Sequence, residues 1–304
     1  MLNITALQQV LDSLPVPTFI KDANHRFVFI NKLASIYFDQ PPQAMIGKRD
    51  EDFFPIEQVR IFHEMDERVL RSGKVNENEE TITDRNGVSR QVVTRKSLFV
   101  LEEERYLLVS ISDITALRES EARARYLAYH DNLTGLPNRT AIYERLNQLL
   151  GKPLESESAM ALLLVDLDGF KNVNDTYGHE AGDELLCSFG RRLKNVVPDA
   201  ELVVRMGGDE FAVLVSSPPQ SDRLEQLCAL IVEAAAEPFN VVGVQSYVAA
   251  SAGAFRIGPG LTSPGEAVRK ADTGLYEAKR RGKGRYCIYS PDLDASLIRR
   301  KTLE

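Results

Sequence analysis

Two short acidic segments carry the chemistry that this 304-residue sequence offers. Asp166 and Asp168 close the apolar run Leu162-Leu163-Leu164-Val165, and Asp209 and Glu210 follow the pair Gly207-Gly208 between two further apolar runs. A carboxylate at the mouth of a buried strand is costly unless it binds something. The period of two along a strand sends Asp166 and Asp168 to one side, and the two glycines let a ligand approach the backbone at a hairpin tip. If the two strands are neighbours, three or four carboxylates converge. Such a cluster repels itself, and a divalent cation is the simplest remedy. Hard oxygen donors facing a phosphate-bearing substrate select Mg2+ or Mn2+. Taken singly, the first segment reads as the polar end of a strand and the second as a Gly-Gly-Asp turn; their joint occurrence points to a site.

The elements that would position these acids alternate regularly through the second half. Ala161 to Val165 reads as a continuous apolar strand, and Leu185, Leu186, Phe189, Leu193 and Val196 mark one helix face. Glu201 to Met206 and Phe211 to Val215 form a hairpin around the two glycines. A helix is expected from about Asp222 to Ala236 and a strand from Ser246 to Ile257. Ser263-Pro264-Gly265-Glu266 then opens a helix running to about Arg281, before a last strand at Arg285 to Tyr289. This predicts a central sheet covered by helices.

The first third reads differently, as short strands and helices. Thr18 to Lys21 and Arg26 to Asn31 are strand candidates, a polar helical stretch covers Pro55 to Ser72, and Glu79 to Thr83, Arg90 to Phe99 and Tyr106 to Ile114 follow as strands. Asp84-Arg85-Asn86-Gly87 is a hairpin turn. Thr115 to His130 has no Gly or Pro and should be helical; with Leu117 as position a, Ser120, Ala124 and Leu127 complete a weak coiled-coil seam.

Composition sets outer bounds. The chain is 43% hydrophobic and 27% charged, enough for two domains with their own cores, and excludes a disordered or collagen-like chain. A net charge of −7 disfavours a general nucleic-acid binder. The longest apolar run, Ala159 to Val165, is far short of a membrane span, so no membrane insertion and a cytoplasmic location are expected. Cys187, Cys228 and Cys287 suit neither a disulfide framework nor a zinc cluster and read as reduced, buried hydrophobes.

The first third resembles a PAS sensor domain over residues 5–115, on Pro15-Val16-Pro17-Thr18-Phe19-Ile20, Asn86-Gly87 and the closing Ile111-Ser112-Asp113-Ile114-Thr115. From Asp131 to Tyr289 the chain resembles the GGDEF family of diguanylate cyclases. The landmarks are Asp131-Asn132-Leu133-Thr134-Gly135-Leu136-Pro137-Asn138-Arg139, Asp166-Leu167-Asp168-Gly169-Phe170-Lys171-Asn172-Val173-Asn174-Asp175 and Tyr177-Gly178-His179-Glu180-Ala181-Gly182-Asp183. Arg205-Met206-Gly207-Gly208-Asp209-Glu210-Phe211 and Tyr276-Glu277-Ala278-Lys279 complete the set. The resemblance implies an α+β protein: a five-stranded antiparallel PAS sheet with flanking helices, a helical linker, and a nucleotidyl-cyclase-like mixed sheet. The implied divisions are a sensor over 1–115, a linker over 116–130, a cyclase over 131–290 and the start of a C-terminal helix over 291–304, leading toward a missing EAL phosphodiesterase domain.

The activity implied is condensation of two GTP into cyclic di-GMP and two pyrophosphates by a homodimer formed through the sensor and linker. The alternative is a GTP-binding module with little or no cyclase activity that controls a downstream phosphodiesterase. By the resemblance, Asp166, Asp209 and Glu210 are catalytic and, with the Leu167 carbonyl, ligate Mg2+ or Mn2+, two ions per site. Asn174 and Asp183 are assigned to the guanine edge; Gly169, Phe170, Lys171, Gly208, Lys279 and Lys283 are assigned to the rest of the nucleotide. The chemistry agrees, because a carboxylate such as Asp183 pairs with guanine N1–H and N2–H2 and leaves adenine unmatched.

Departures also matter. Pro198-Asp199-Ala200-Glu201 stands where many members carry an Arg-x-x-Asp inhibitory site, so no product inhibition by that route is expected, and Lys283 replaces a phosphate-binding arginine, with Arg285 close by. In the sensor, Phe19, Val28, Ile30 and Val93 are candidates to line a small-molecule cavity, and His63 lies where some haem-binding members place their axial ligand, though an ordinary histidine is the simpler reading.

Overall fold

The computed structural model describes residues 4–84, 87–150, 160–217, 222–258 and 260–294. The chain divides into two compact units, Met1–Arg123 and Ala124–Glu304.

The first unit runs α1 (Ile4–Asp12), β1 (Thr18–Asp22), β2 (Phe27–Ile30), α2 (Lys32–Phe38), α3 (Pro42–Met45), a 3-10 turn (Asp50–Asp52), α4 (Ile56–Ser72), β3 (Asn76–Thr83), β4 (Ser89–Leu101) and β5 (Glu104–Asp113). Its sheet has the order β2-β1-β5-β4-β3 and is antiparallel throughout. Asn31 nucleates this corner. Its side-chain oxygen caps α2 through the Ala34 amide at 2.8 Å and accepts from the Thr18 amide at 2.9 Å, joining helix start to strand. The core packs Phe27, Ile30, Val92, Leu107, Val109 and Ile111 against Phe62, Val69 and Leu70 of α4. Arg85 and Asn86 of the expected hairpin turn lie outside the described residues, yet β3 and β4 pair from Thr83↔Ser89 onward, as that turn requires. Three elements escaped the sequence reading, α1, α2 and α3, because each is short and without a long apolar period.

α5 (Thr115–Tyr129) crosses the boundary between the units and buries none of its residues. Leu117 is 57% and Leu127 45% exposed, so these two residues of the apolar seam read from the sequence stand uncovered among the described residues.

The second unit continues α6 (Arg139–Leu150), β6 (Met160–Asp168), α7 (Phe170–Tyr177), α8 (His179–Val196), β7 (Leu202–Gly207), β8 (Glu210–Ser216), α9 (Arg223–Ala236), β9 (Phe239–Val241), β10 (Val244–Ser246), β11 (Ala249–Ile257), α10 (Pro264–Arg280) and β12 (Tyr286–Ile288). The main sheet has the order β12-β11-β6-β8-β7, with β11 and β12 parallel and the other pairs antiparallel. β6 is central and covered on both faces, which is why it reads as an unbroken apolar run. Leu163, Val165 and Leu167 pack with Leu185 and Phe189 of α8. Leu162 and Leu164 pack with Ile142 and Leu146 of α6 and Ala271 and Leu275 of α10. Each fully buried leucine contributes about 1.5–3 kcal/mol.

The expected strand Ser246–Ile257 is broken: β10 pairs with β9 in a small hairpin around Val242 and Gly243, and β11 begins at Ala249. Cys228 is buried as expected, whereas Cys187 and Cys287 are only partly covered; all three are free thiols. Among the described residues no helix is long and apolar enough to cross a membrane. Only 291–294 of the expected C-terminal helix are described, and they are helical.

Candidate active site

Even-numbered residues of β6 face α6 and α10, so the alternation that buries Leu162 and Leu164 carries Asp166 to the same face at the strand end. Asp166 stands opposite Glu210 of β8 on one side and Ser251 of β11 on the other. The hairpin between β7 and β8 closes through Gly207 and Gly208, both with positive φ, and bends back so that the Leu167 amide donates to the Asp209 carbonyl at 3.3 Å. Asp166, Asp209 and Glu210 are thereby gathered at adjoining strand ends.

The electrostatics record the crowding. Burial, followed by the Asp166 charge, pushes the carboxyls of both Asp209 and Glu210 above their ordinary values, and Lys279 opposes the shift. From the last turn of α10, the Lys279 ammonium lies 2.7 Å from Asp166 Oδ2. Among the described residues no three acidic, histidine or cysteine side chains stand ready to hold a metal ion.

Asp168 does not join this group. Its Oδ2 accepts from the Ser251 hydroxyl at 2.7 Å and from the Gly284 amide at 3.0 Å, so it ties the turn after α10 to the sheet. The convergence is of three carboxylates, not four. That turn carries Lys283, an exposed residue with φ 60°, whose carbonyl accepts from Arg285 Nε at 3.1 Å.

Gly169 enters α7 with φ 84° and begins the segment that includes Phe170 and Lys171. Asn174 of α7 meets the first turn of α8 at Gly182: a Cβ built on Gly182 would fall 1.9 Å from Asn174 Oδ1 and 3.2 Å from the Phe170 ring. Asn174 Oδ1 is buried without a hydrogen-bond partner, and the Gly182 it packs against immediately precedes the exposed Asp183. An orphaned buried acceptor of this kind is unusual in a folded chain.

One functional residue was quoted in the sequence motif without a role. Arg205 donates from Nε and Nη2 to the Gly208 carbonyl at 3.0 and 2.8 Å, and from Nη1 to both oxygens of Asp131 at 3.0 and 3.1 Å. Burial opposes ionisation of Asp131, but Thr134 and Arg205 together hold its carboxyl below the ordinary range. Asp131 and Arg205 lie 74 positions apart, a pairing that no local pattern exposes. Arg205→Ala should loosen the hairpin tip and lower turnover by roughly 10–100-fold, the usual effect of removing a group that orients a site residue. Amide exchange at Gly208 and Asp209 should accelerate in parallel, and unchanged exchange would count against the clamp.

The comparisons with known proteins bear on this geometry. The profile described as diguanylate cyclase, GGDEF domain, matches residues 128–285, more than half of the chain. The chain belongs to the GGDEF family. A PAS-fold profile matches residues 11–119, so a PAS unit precedes the GGDEF unit. The chain is 28% identical over 284 residues to a diguanylate cyclase of Vibrio cholerae, covering 92% of this chain and 88% of that one. It is 30% identical over 298 residues to the cyclic di-GMP phosphodiesterase PdeR of Escherichia coli, covering 96% of this chain but spanning less than half, 44%, of PdeR. Among solved structures, the GGDEF domain of YfiN (TpbB) from Pseudomonas aeruginosa is 31% identical with a TM-score of 0.51, over 55% of this chain and 98% of that one.

In the PAS unit the candidate ligand positions fare differently. Phe19 borders an interior cavity, whereas Ile30 is plain core, Val28 is 39% exposed and Val93 lies on the outer face of β4. His63, an ordinary histidine on the simpler reading, has its Nε2 3.1 Å from Asp50 Oδ2.

Proposed function

We propose that the GGDEF unit condenses two GTP molecules into cyclic di-GMP and two pyrophosphates, working as a homodimer under the control of the PAS unit. The observation that carries this reading is the gathering of Asp166, Asp209 and Glu210 at one sheet edge with the Lys279 ammonium against Asp166. Three mutually repelling hard-oxygen donors suit Mg2+ or Mn2+. Asp166, Asp209, Glu210 and the Leu167 carbonyl would hold it. Bound there with a triphosphate, such an ion supplies charge neutralisation.

Every other part of the task falls to side chains. Asn174, whose amide oxygen has no partner, and Asp183 would read the guanine edge, and the start of α7 from Gly169 through Lys171 would receive the phosphates. Lys279 would exchange its contact with Asp166 for phosphate oxygens, and Lys283 and Gly208 would contribute to nucleotide binding. Glu210 would serve as a further ligand or help activate the attacking 3′-hydroxyl. Phosphoryl transfer asks mainly for such positioning. One unit holds one nucleotide, so a second copy must face it; the exposed apolar residues of α5 support pairing through the linker. On this reading the sensor spans 1–115, the linker 116–130, the cyclase 131–290, and 291–304 begins a further helix.

The second reading is a GTP-binding module that regulates a phosphodiesterase. PdeR, a phosphodiesterase more than twice the length matched here, favours keeping it. Incubation with GTP and Mg2+ followed by product separation distinguishes the two: cyclic dinucleotide plus pyrophosphate supports catalysis, and GTP-dependent stabilisation without turnover supports the binding module.

The altered inhibitory segment predicts the absence of one property. Glu201 is paired with Arg145 of α6, and Asp199 with Arg223 at 3.4 Å, so these acids are already partnered. Cyclic di-GMP should not inhibit through them; tight product binding abolished by Glu201→Ala would contradict this.

A further inference from the structure

The interior of the PAS unit holds five charged side chains that the cyclase reading does not use. Lys21 of β1 lies 2.6 Å from Asp50 and 3.2 Å from Asp66, and Lys96 of β4 lies 2.9 Å from Asp66 and 3.2 Å from Glu80 of β3. All five side chains are at most 3% exposed. Two ammonium groups against three carboxylates leave this buried set one positive charge short, and an uncompensated buried charge is costly.

His25 supplies the missing charge. It sits in the turn between β1 and β2 with φ 62°, its Nδ1 3.3 Å from Asp66 Oδ2 and its Nε2 3.1 Å from Glu67 Oε1. Ionised carboxylates only accept, and a neutral imidazole can donate from one nitrogen alone, so both contacts are satisfied only by imidazolium. The proton is assigned from this acceptor pattern. His63 is stacked on His25 with ring centroids 4.0 Å apart and planes 18° from parallel. Its Nε2 meets Asp50 Oδ2 at 3.1 Å, while Nδ1 is 4.0 Å from Glu51, too far for a hydrogen bond.

The adjoining cavity, bordered by Lys21, Asp50, Glu80 and Lys96, holds about 20 Å³, room for a single water. We propose that the PAS unit binds one proton as its ligand, seated on His25 against Asp66 and Glu67, with the His63 ring stacked beside it. The route outward is β3. Glu80 faces inward to Lys96, and its neighbour Glu79 faces outward to an ion pair with Arg118 in the first turn of α5.

The hydrogen bond to Asp66 holds His25 above its ordinary value of 6.5, against the effect of burial. A raised pKa in the folded state gives stability that is complete below pH 6.5 and lost as pH rises through the folded value. Between those two points the unfolding constant of the PAS unit should rise by up to tenfold per pH unit. The chain has four histidines, so imidazole resonances of the full-length protein can be assigned from single substitutions. His25 should titrate above 6.5, and Glu67→Gln and Asp66→Asn should each lower its midpoint. Amide exchange over Thr115–Arg118, corrected for its intrinsic pH dependence, should follow the same titration, and His25→Asn, which suits positive φ, should flatten it. Should Asp66→Asn fail to fold, the exposed Glu67 still decides. An ordinary His25 midpoint, one indifferent to Glu67→Gln, or exchange at the root of α5 that ignores the titration, overturns the proposal. GTP turnover does not enter, so this test stands apart from the cyclase reading.

Discussion

Asp209→Asn and Glu210→Gln are each expected to lower GTP turnover by about 10²–10³-fold or more, the scale of removing one charge-stabilising group from a site of this kind. The same substitutions should leave the fold intact and raise the unfolding midpoint of the metal-free protein. The reason is burial followed by repulsion from Asp166, which together lift the carboxyl pKa of Asp209 and Glu210. A carboxylate whose pKa is raised on folding destabilises the folded state wherever it is ionised, and neutralising one of the three relieves that. The gain should be modest, on the order of 1–3 °C for a unit of this size, because both groups are partly solvated. The opposed signs are the diagnostic feature. A structural acid lost by mutation would lower both stability and turnover, whereas loss of a site acid lowers turnover while raising the stability of the metal-free protein. Thermal unfolding with and without Mg2+, beside a turnover assay, checks both; retained turnover in both variants would remove these acids from the mechanism.

Gly253→Ala should have the largest structural effect. α10 lies so close on β11 that a Cβ at Gly253 would fall 2.0 Å from the Leu275 amide nitrogen and 2.2 Å from the Ala271 carbonyl oxygen. Those atoms are backbone and cannot rotate aside. Gly274 answers from the helix side, where a Cβ would meet the Cys287 carbonyl at 2.6 Å. The helix must lift to admit a methyl group, at a cost of about 3 kcal/mol or more, or roughly 6–12 °C in the GGDEF-unit transition. Lys279 rides on the last turn of α10, so the displacement also pulls its ammonium from Asp166. Turnover should therefore fall even at temperatures where the variant is folded. Gly265→Ala in the first turn of the same helix is the control. Its added Cβ meets only Ser263 Oγ at 3.9 Å, and its effect should stay within about 0.5 kcal/mol.

What could be read in advance follows from how local each feature is. β6 and the hairpin from Leu202 to Ser216 announce themselves by apolar runs and a Gly-Gly turn, so the meeting of Asp166 with Glu210 followed from strand adjacency alone. The role of Asp168 did not, because strand period gives its side and not its partners; Ser251 and Gly284 lie 83 and 116 positions away. The Arg205 clamp on Asp131 was hidden for the same reason. The PAS interior is the sharpest case. Lys21 and Lys96 sit in strands where a lysine ordinarily marks a solvent-facing position, and only the arrival of Asp66 from α4 makes them interior. Pairing between distant charges leaves no periodic trace, whereas burial of apolar faces does.

The central claim is that Asp166, Asp209 and Glu210 act as one divalent-cation grip for a triphosphate. Crystals of the full chain soaked with Mn2+ and a non-hydrolysable GTP analogue, with data collected at the manganese edge, test it directly. The account predicts an anomalous peak bounded by these three carboxylates and the Leu167 carbonyl, with Lys279 drawn from Asp166 to the phosphates. Nucleotide bound with no such peak, or with Lys279 still on Asp166, would contradict it.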